Sequence, residues 1–320
     1  MSTKILIIGG LGFIGKNLYE NLINSGYTNV DILSFESLNN EDPFYNIFKN
    51  RLFIGSIEDS ALLDKLIPNY DIVFSLAGIS GASRSFEDPV NNIKINLIGH
   101  INILQACSKS NKRIKVIFPS SRLVYGKPNY IPVDENHPIN PQSIYAVNKY
   151  AVEQYYLQYS GLYNIDAVVL RISNPFGPNQ SFKNQNYGIL NNFIFKALKN
   201  EPVNIYGDGF QKRDFLYIKD LTNLLVECIT NSNVNGKVFN VGATNTIKLI
   251  ESAKMIKKFV PELVIKNVPW PEIDKKIETG DYLSDISKIK NATGWSPKYS
   301  LDIGLKETID FYKNHLKFYE

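Results

Sequence analysis

The sequence predicts an α/β protein: a doubly wound parallel sheet with a smaller α/β lobe beyond its edge. Three observations lead there. Apolar, β-branched runs alternate with helix-period segments through the first half, a glycine triplet follows the first run, and after Asn174 the rhythm changes to segments rich in Pro, Gly, Asn and aromatic residues. No repeat or Ser/Pro linker separates the two parts. The second lobe is therefore expected to form from insertions that close over the carboxyl edge of the sheet, where such folds bind ligands.

The first run, "KILII", suits a buried parallel strand and leads into "GGLGFIGKN". Gly9, Gly12 and Gly15 are spaced for the first turn of a dinucleotide-binding βαβ unit, yet Gly10 to Lys16 also reads G-x-x-x-x-G-K, most of a nucleoside-triphosphate loop. That loop needs Ser or Thr after its Lys to ligand Mg²⁺, and Asn17 stands there instead. Phe13, Ile14, Leu18, Leu22 and Ile23 recur at helical spacing, predicting a helix over 13–24. Strand, glycine turn and helix together make a Rossmann-type unit, whose helix N-terminus offers unpaired N–H groups to a pyrophosphate. Gly9, Gly12, Phe13 and Ile14 are accordingly assigned to the cofactor. Five further strands are predicted in "NVDIL", "RLFIG", "DIVFSLAG", "IKVIFPSS" and "DAVVLRIS", with helices over 60–67, 90–109 and 143–161 between them. A helix over 189–199 then precedes "VNIYGDGFQKRDF".

At 320 residues and 44% hydrophobic, the chain can bury a sizeable core. Its formal net charge of +4 is mild and its lysines are scattered, which argues against nucleic acid or a membrane as partner. Cys107 and Cys228 sit in apolar helical contexts without a metal-ligand spacing, so free thiols and no metal are expected. The amino terminus enters a strand by Lys4 without a cleavable signal, and no apolar run approaches a membrane span; a cytoplasmic location is expected.

Two stretches sit where chemistry belongs. "FPSSRLVYG" follows the fifth strand, and "SIYAVNKYAVEQYY" opens the next helix, placing Tyr145 and Lys149 on one helix face. Ionising an ordinary Tyr at pH 7 costs on the order of 4 kcal/mol. A Lys ammonium and an oxidised nicotinamide nearby can each return roughly 3–4 kcal/mol at an effective dielectric near 20. Such a phenolate can take a proton from a substrate hydroxyl as the carbinol hydride leaves for the nicotinamide, with a serine hydroxyl aligning the alcohol.

Taken together, "GGLGFIG" (9–15), "SSRLVYG" (120–126) and "YAVNK" (145–149) resemble the extended short-chain dehydrogenase/reductases, specifically the NAD-dependent epimerase/dehydratase family that acts on nucleotide sugars. "RISNPFGP", "IYGDGFQKRDFLYIKDL", "GKVFNVG" and "SDISKIKNATGWSP" look like that family's later landmarks in order, so the likeness covers nearly the whole chain. It implies Ser121 as the hydroxyl partner, Tyr145 as the acid/base, and Lys149 as the residue that holds the cofactor ribose and lowers the tyrosine pKa. It further implies that Ser34, Ser56, Ile57, Ala77, Gly78 and Asn96 line the cofactor. On the substrate side it implies Arg122, Asn174, Asn192, Tyr206 and Arg213, the last gripping the diphosphate with a fork suited to two phosphate oxygens. Residues 1–173, with a returning segment about 213–242, are then the NAD-binding domain. Residues 174–212 and 243–320 are the nucleotide-sugar-binding lobe.

Departures from the family pattern narrow the reaction. Members that eliminate water resemble one another in an Asp-Glu pair directly after the hydroxyl residue; here Arg122 and Leu123 occupy those places, which argues against 4,6-dehydration and against decarboxylation. The second strand should end in an acidic residue for the adenosine ribose, and Ser34 stands there with Glu36 two further on. No Arg or Lys lies between 31 and 48 to neutralise a 2′-phosphate, which favours NAD over NADP. Ser56 falls where the family often has Asp, and Glu278 falls where it has a distal arginine, just after Lys275 and Lys276.

The expected function is NAD-dependent oxidation at C4 of a nucleotide-linked sugar, as a 4-epimerase. A net 4-dehydrogenase or 4-ketoreductase shares every named residue and stays open, as does a catalytically silent NAD-binding sensor. In resembling enzymes the helices matching 90–109 and 143–161 form a four-helix bundle across a two-fold axis, so a homodimer is expected.

Overall fold

The apolar runs become the interior of a seven-stranded parallel sheet in a computed structural model that describes residues 3–38, 42–182 and 188–320. Residues 183–187, the end of the Asn-rich stretch after Asn174, lie outside the described residues. The sheet strands are β1 (Ile5–Ile8), β2 (Val30–Ser34), β3 (Leu52–Ile54), β4 (Ile72–Ser75), β5 (Ile114–Ser121), β6 (Ile165–Ile172) and, after four short strands, β11 (Lys237–Val241). Their spatial order is β11-β6-β5-β4-β1-β2-β3, so the chain reverses its direction of winding between β1 and β4. In α/β sheets it is the crevice outside the carboxyl ends, at such a reversal, that takes ligands.

Strand period decides which side chains reach which layer. Ile5 and Ile7 fall in one buried cluster with Leu18 and Leu22 of α1 (Phe13–Asn24), whereas Leu6 and Ile8 fall in another, on the opposite face, with Ile103 and Leu104. That second face is covered by α3 (Ser60–Leu66), α5 (Gly99–Ser108) and α6 (Ile144–Leu162), which follow short α2 (Tyr45–Phe48) and α4 (Pro89–Ile93) along the chain. The helix predicted over 60–67 stops at Leu66 in front of Pro68 and continues only as a 3₁₀ turn, because proline disfavours helical backbone before it. The predicted helix 90–109 is α4 and α5 joined through a π-helical turn, Lys94–Ile98. Such turns mark places where helix register is given up for a local contact.

The remaining elements are α7 (Ile189–Leu198), α8 (Ile218–Thr230), α9 (Leu249–Phe259), α10 (Glu272–Ile277), α11 (Ser287–Thr293) and α12 (Leu301–Tyr319). Three two-stranded ribbons accompany them: β7 (Asn174–Phe176) with β10 (Phe215–Tyr217), β9 (Lys212–Arg213) with β12 (Ile247–Lys248), and β8 (Val203–Tyr206) with β13 (Ile265–Val268). The "GKVFNVG" segment thus returns to the main sheet as β11, paired in parallel with β6. Among the described residues, no helix is long and apolar enough to cross a membrane.

Candidate active site

The glycine turn sits at the mouth of the crevice, and its glycines are used sterically. Gly9 has φ +85°, and a Cβ there would stand 2.7 Å from the backbone nitrogen of Ala77. A Cβ on Gly15 would fall 2.6 Å from Gly10, so α1 presses directly onto the turn. Gly12 caps α1 with no side-chain hydrogen bond and no acidic residue in the first turn, which leaves the helix N-terminus facing outward beside Phe13 and Ile14. The competing triphosphate-loop reading fails on Lys16. Its ammonium turns away from the turn into an aromatic group, 4.4 Å from the Phe44 ring centroid and 5.6 Å from those of Phe318 and Tyr319. Asn17 likewise donates to the carbonyls of Phe13 and Pro178.

Ser34 ends β2 buried, its hydroxyl accepting from the N–H of Glu36 at 3.2 Å, while Glu36 itself is exposed. Arg51 pairs with Asp31 near the amino end of β2, away from that loop. Ser56 closes a local turn with Glu58, and Ile57 is buried under Gly99, its carbonyl accepting from Asn102. Asn96 occupies the π turn and clasps the loop after β4: its Oδ1 accepts from Ile79 N at 2.9 Å and its Nδ2 donates to Ile79 O at 2.8 Å. A Cβ on Gly78 would meet Asn96 Oδ1 at 2.8 Å. Ala77, Gly78 and Asn96 therefore form one rigid wall of the crevice.

Ser121 ends β5, and Tyr145 opens α6 behind its Ser143 cap. The Ser121 hydroxyl lies close enough to the Tyr145 phenol to lower its pKa. Lys149, one turn further, donates from Nζ to Pro119 O at 3.0 Å and lies 5.8 Å from the Tyr145 ring centroid. Burial pushes the Tyr145 phenol up to about 12, opposed by the nearby Ser121 hydroxyl. Burial pushes the Lys149 ammonium down to about 8, against Glu153, whose charge holds it up. In the chain by itself, desolvation outweighs the acidifying effect of the Ser121 hydroxyl.

On the lobe side, Asn174 donates to Asp214, and Asn192 on α7 holds a buried Oδ1 with no partner among the described residues. Tyr206 is partly exposed beside Trp270, ring centroids 5.3 Å apart. Arg122 is buried over the Tyr282 ring and donates to Thr279 Oγ1 at 3.0 Å; burial, reinforced by nearby Arg213, lowers its pKa to about 10. Arg213 pairs with Glu278 and not with the adjacent Asp214, whose carboxylate accepts from Ser284 N.

Several supporting residues escaped the sequence reading. Asn148 on α6 donates to Asn92, which also accepts from Asn96, so an amide ladder ties the catalytic helix to the crevice wall. Asn92 and Asn96 are four apart in an apolar helix, a signal that was legible. His100 is fully buried with Nε2 3.1 Å from Ala77 O and Nδ1 2.9 Å from Ser75 Oγ. Accepting at Nδ1 and donating at Nε2 suits a neutral ring, and burial together with the Lys149 charge holds its pKa well below the usual value. Beneath the site, Glu153 takes a forked pair of bonds from Arg171 and one from the Ser120 hydroxyl, while Arg171 reaches Tyr125 at 2.8 Å.

This arrangement fits a dinucleotide: a glycine turn that admits close backbone approach, an open helix N-terminus, and a polar crevice ending at a Ser–Tyr–Lys group. The sequence matches the NAD dependent epimerase/dehydratase family over residues 5–242. It is 34% identical to a putative UDP-glucose 4-epimerase of Methanocaldococcus jannaschii, over 97% of this chain and 99% of that one. It is 30% identical to the CDP-paratose 2-epimerase of Salmonella typhi, over 96% and 98%. The crystal structure of the Thermotoga maritima UDP-glucose 4-epimerase with UDP-glucose superposes with a TM-score of 0.86 at 28% identity, covering 98% of this chain and all (100%) of that one.

Proposed function

Because this chain belongs to the NAD dependent epimerase/dehydratase family, we propose that it oxidises C4 of a nucleotide-linked sugar and returns the hydride to the other face, as a 4-epimerase. The observation that carries the reading is the Ser121–Tyr145–Lys149 group at the carboxyl end of β5, with Arg122 and Leu123 following Ser121 where an eliminating enzyme would need carboxylates. Gly9, Gly12, Phe13, Ile14, Ser34, Ser56, Ile57, Ala77, Gly78, Asn96 and Lys149 hold NAD; Arg122, Asn174, Asn192, Tyr206 and Arg213 hold the nucleotide sugar. When bound, NAD takes the hydride from the carbinol carbon and can give it back.

The chain's own contribution is proton handling. Starting from about 12, the Tyr145 phenol costs about 7 kcal/mol to ionise at pH 7. Positive charge beside that oxygen is therefore a functional requirement, and Lys149 is the chain's own source of it. The Ser121 hydroxyl orients the substrate alcohol toward the phenolate, which takes its proton.

A pH dependence follows. The Lys149 ammonium is charged below about 8 and neutral above it. Steady-state rates should fall along a limb with an apparent pKa near that value, about tenfold per pH unit. A rate that stays flat to pH 10 would contradict the role given to Lys149.

The reaction itself is tested by denaturing freshly purified protein, measuring the redox state of the released cofactor, and following absorbance near 340 nm with nucleotide sugars. Isomerised sugar without net redox change supports the epimerase, whereas sustained reduced-cofactor formation makes the enzyme a dehydrogenase. The Salmonella relative's name places CDP sugars, and epimerisation at C2, within that panel. A homodimer is proposed through the outer sides of α4–α5 and α6, where Val90, Ile93, Ile98, Val147 and Tyr155 are exposed. Light scattering should give twice the chain mass at micromolar concentration; monomer mass throughout a dilution series would exclude it.

A further inference from the structure

The guanidinium assigned above to the diphosphate is already occupied by the chain itself. Arg213 Nη2 donates to Glu278 Oε1, and Nη1 donates to the carbonyls of Gly280 at 2.6 Å and Lys212 at 3.0 Å. The same carboxylate oxygen accepts from Gly280 N at 2.8 Å, so residues 278–280 fold around it. The residue between, Thr279, is held by Arg122. Both arginines on the substrate side therefore hold one strap, which follows α10 directly. The Arg213 side chain is buried, with 7% exposure, whereas that of Glu278 is reachable at 24%.

A carboxylate and a phosphate compete for the same planar fork of donors. We propose that Glu278 is a built-in competitor for the anion site of Arg213: an incoming nucleoside diphosphate displaces its carboxylate, and the 278–280 strap comes away with it. This rests on the reading of Arg213 as the diphosphate ligand. The latch lowers affinity by the fraction of molecules in which it is open; closed nine-tenths of the time, it raises the apparent Kd about tenfold. It also makes binding selective for ligands that bring two acceptor oxygens to Arg213, since a single weak acceptor gains less than the broken pair loses.

Titration calorimetry of the NAD-loaded full-length protein with UDP, CDP, dTDP and GDP tests this in four proteins: the parent, Glu278→Gln, Arg213→Met and the double variant. Glutamine keeps the acceptor for Gly280 N and removes the charge. Glu278→Gln is expected to tighten the best diphosphate about tenfold, Arg213→Met to weaken it, and Glu278→Gln to change nothing in the Arg213→Met background. If Arg213→Met weakens binding but Glu278→Gln is no tighter than the parent, the latch is wrong and the diphosphate assignment stands. Equal binding by the parent and Arg213→Met overturns the assignment itself. If no diphosphate binds either the parent or Glu278→Gln, the latch also fails, because opening it should have revealed a site.

Discussion

Replacing Tyr145 by Phe should lower kcat about 10²–10⁴-fold, the range that a positioned acid/base supplies, while the protein retains NAD. The substitution removes one oxygen from a helix-borne ring beside the Ser121 hydroxyl. Lys149 keeps its bond to Pro119 O, and the glycine turn is untouched. The loss should therefore fall on kcat with little change in KM, the pattern of an interaction needed in the transition state. Rapid mixing with a nucleotide sugar, read at 340 nm for transient reduced cofactor, checks it. Unchanged turnover with NAD retained would remove Tyr145 from the chemistry; no turnover in either protein, with NAD bound, would favour the silent sensor.

The second large effect concerns stability. Glu153 is 0% exposed and Arg171 5%, and they share a forked ion pair of which the shortest contact is 2.7 Å. Arg171→Met leaves a carboxylate in the core with the Ser120 hydroxyl as its remaining hydrogen-bond partner among the described residues, and breaking a buried pair in this way costs about 3–5 kcal/mol. For a chain of this size that is a drop in Tm of roughly 5–10 °C. Glu153→Gln combined with Arg171→Met removes both charges and should recover most of the loss. Differential scanning fluorimetry of the single and double variants decides it; equal melting of parent and Arg171→Met would show the pair to be dispensable. Because Glu153 also holds up the charge of Lys149, the double variant should move the alkaline limb of the rate profile to lower pH.

Legibility followed sequence distance. The helix at 13–24 and the strand at 114–121 match their predicted bounds, because each is specified by the period of its own residues and by its own turn. Tyr145 and Lys149 were found for the same reason, being one helical turn apart. The π turn in the helix over 90–109 was not, since it goes with Asn96 reaching Ile79, seventeen residues away in sequence. Arg213 was read as a phosphate ligand, and within the chain its partner is Glu278, 65 residues on.

Local periodicity and the glycine spacing determined that this chain winds a parallel sheet, turns tightly after its first strand and presents a tyrosine and a lysine on one helix face. Those features depend on backbone geometry that neighbouring residues set for themselves. Which charges meet was decided only by tertiary structure: Lys16 in an aromatic group, Glu153 on Arg171, Glu278 on Arg213. Pairing of that kind depends on distance in space and on the loss of water around each group, and neither is written into the order of residues along the chain.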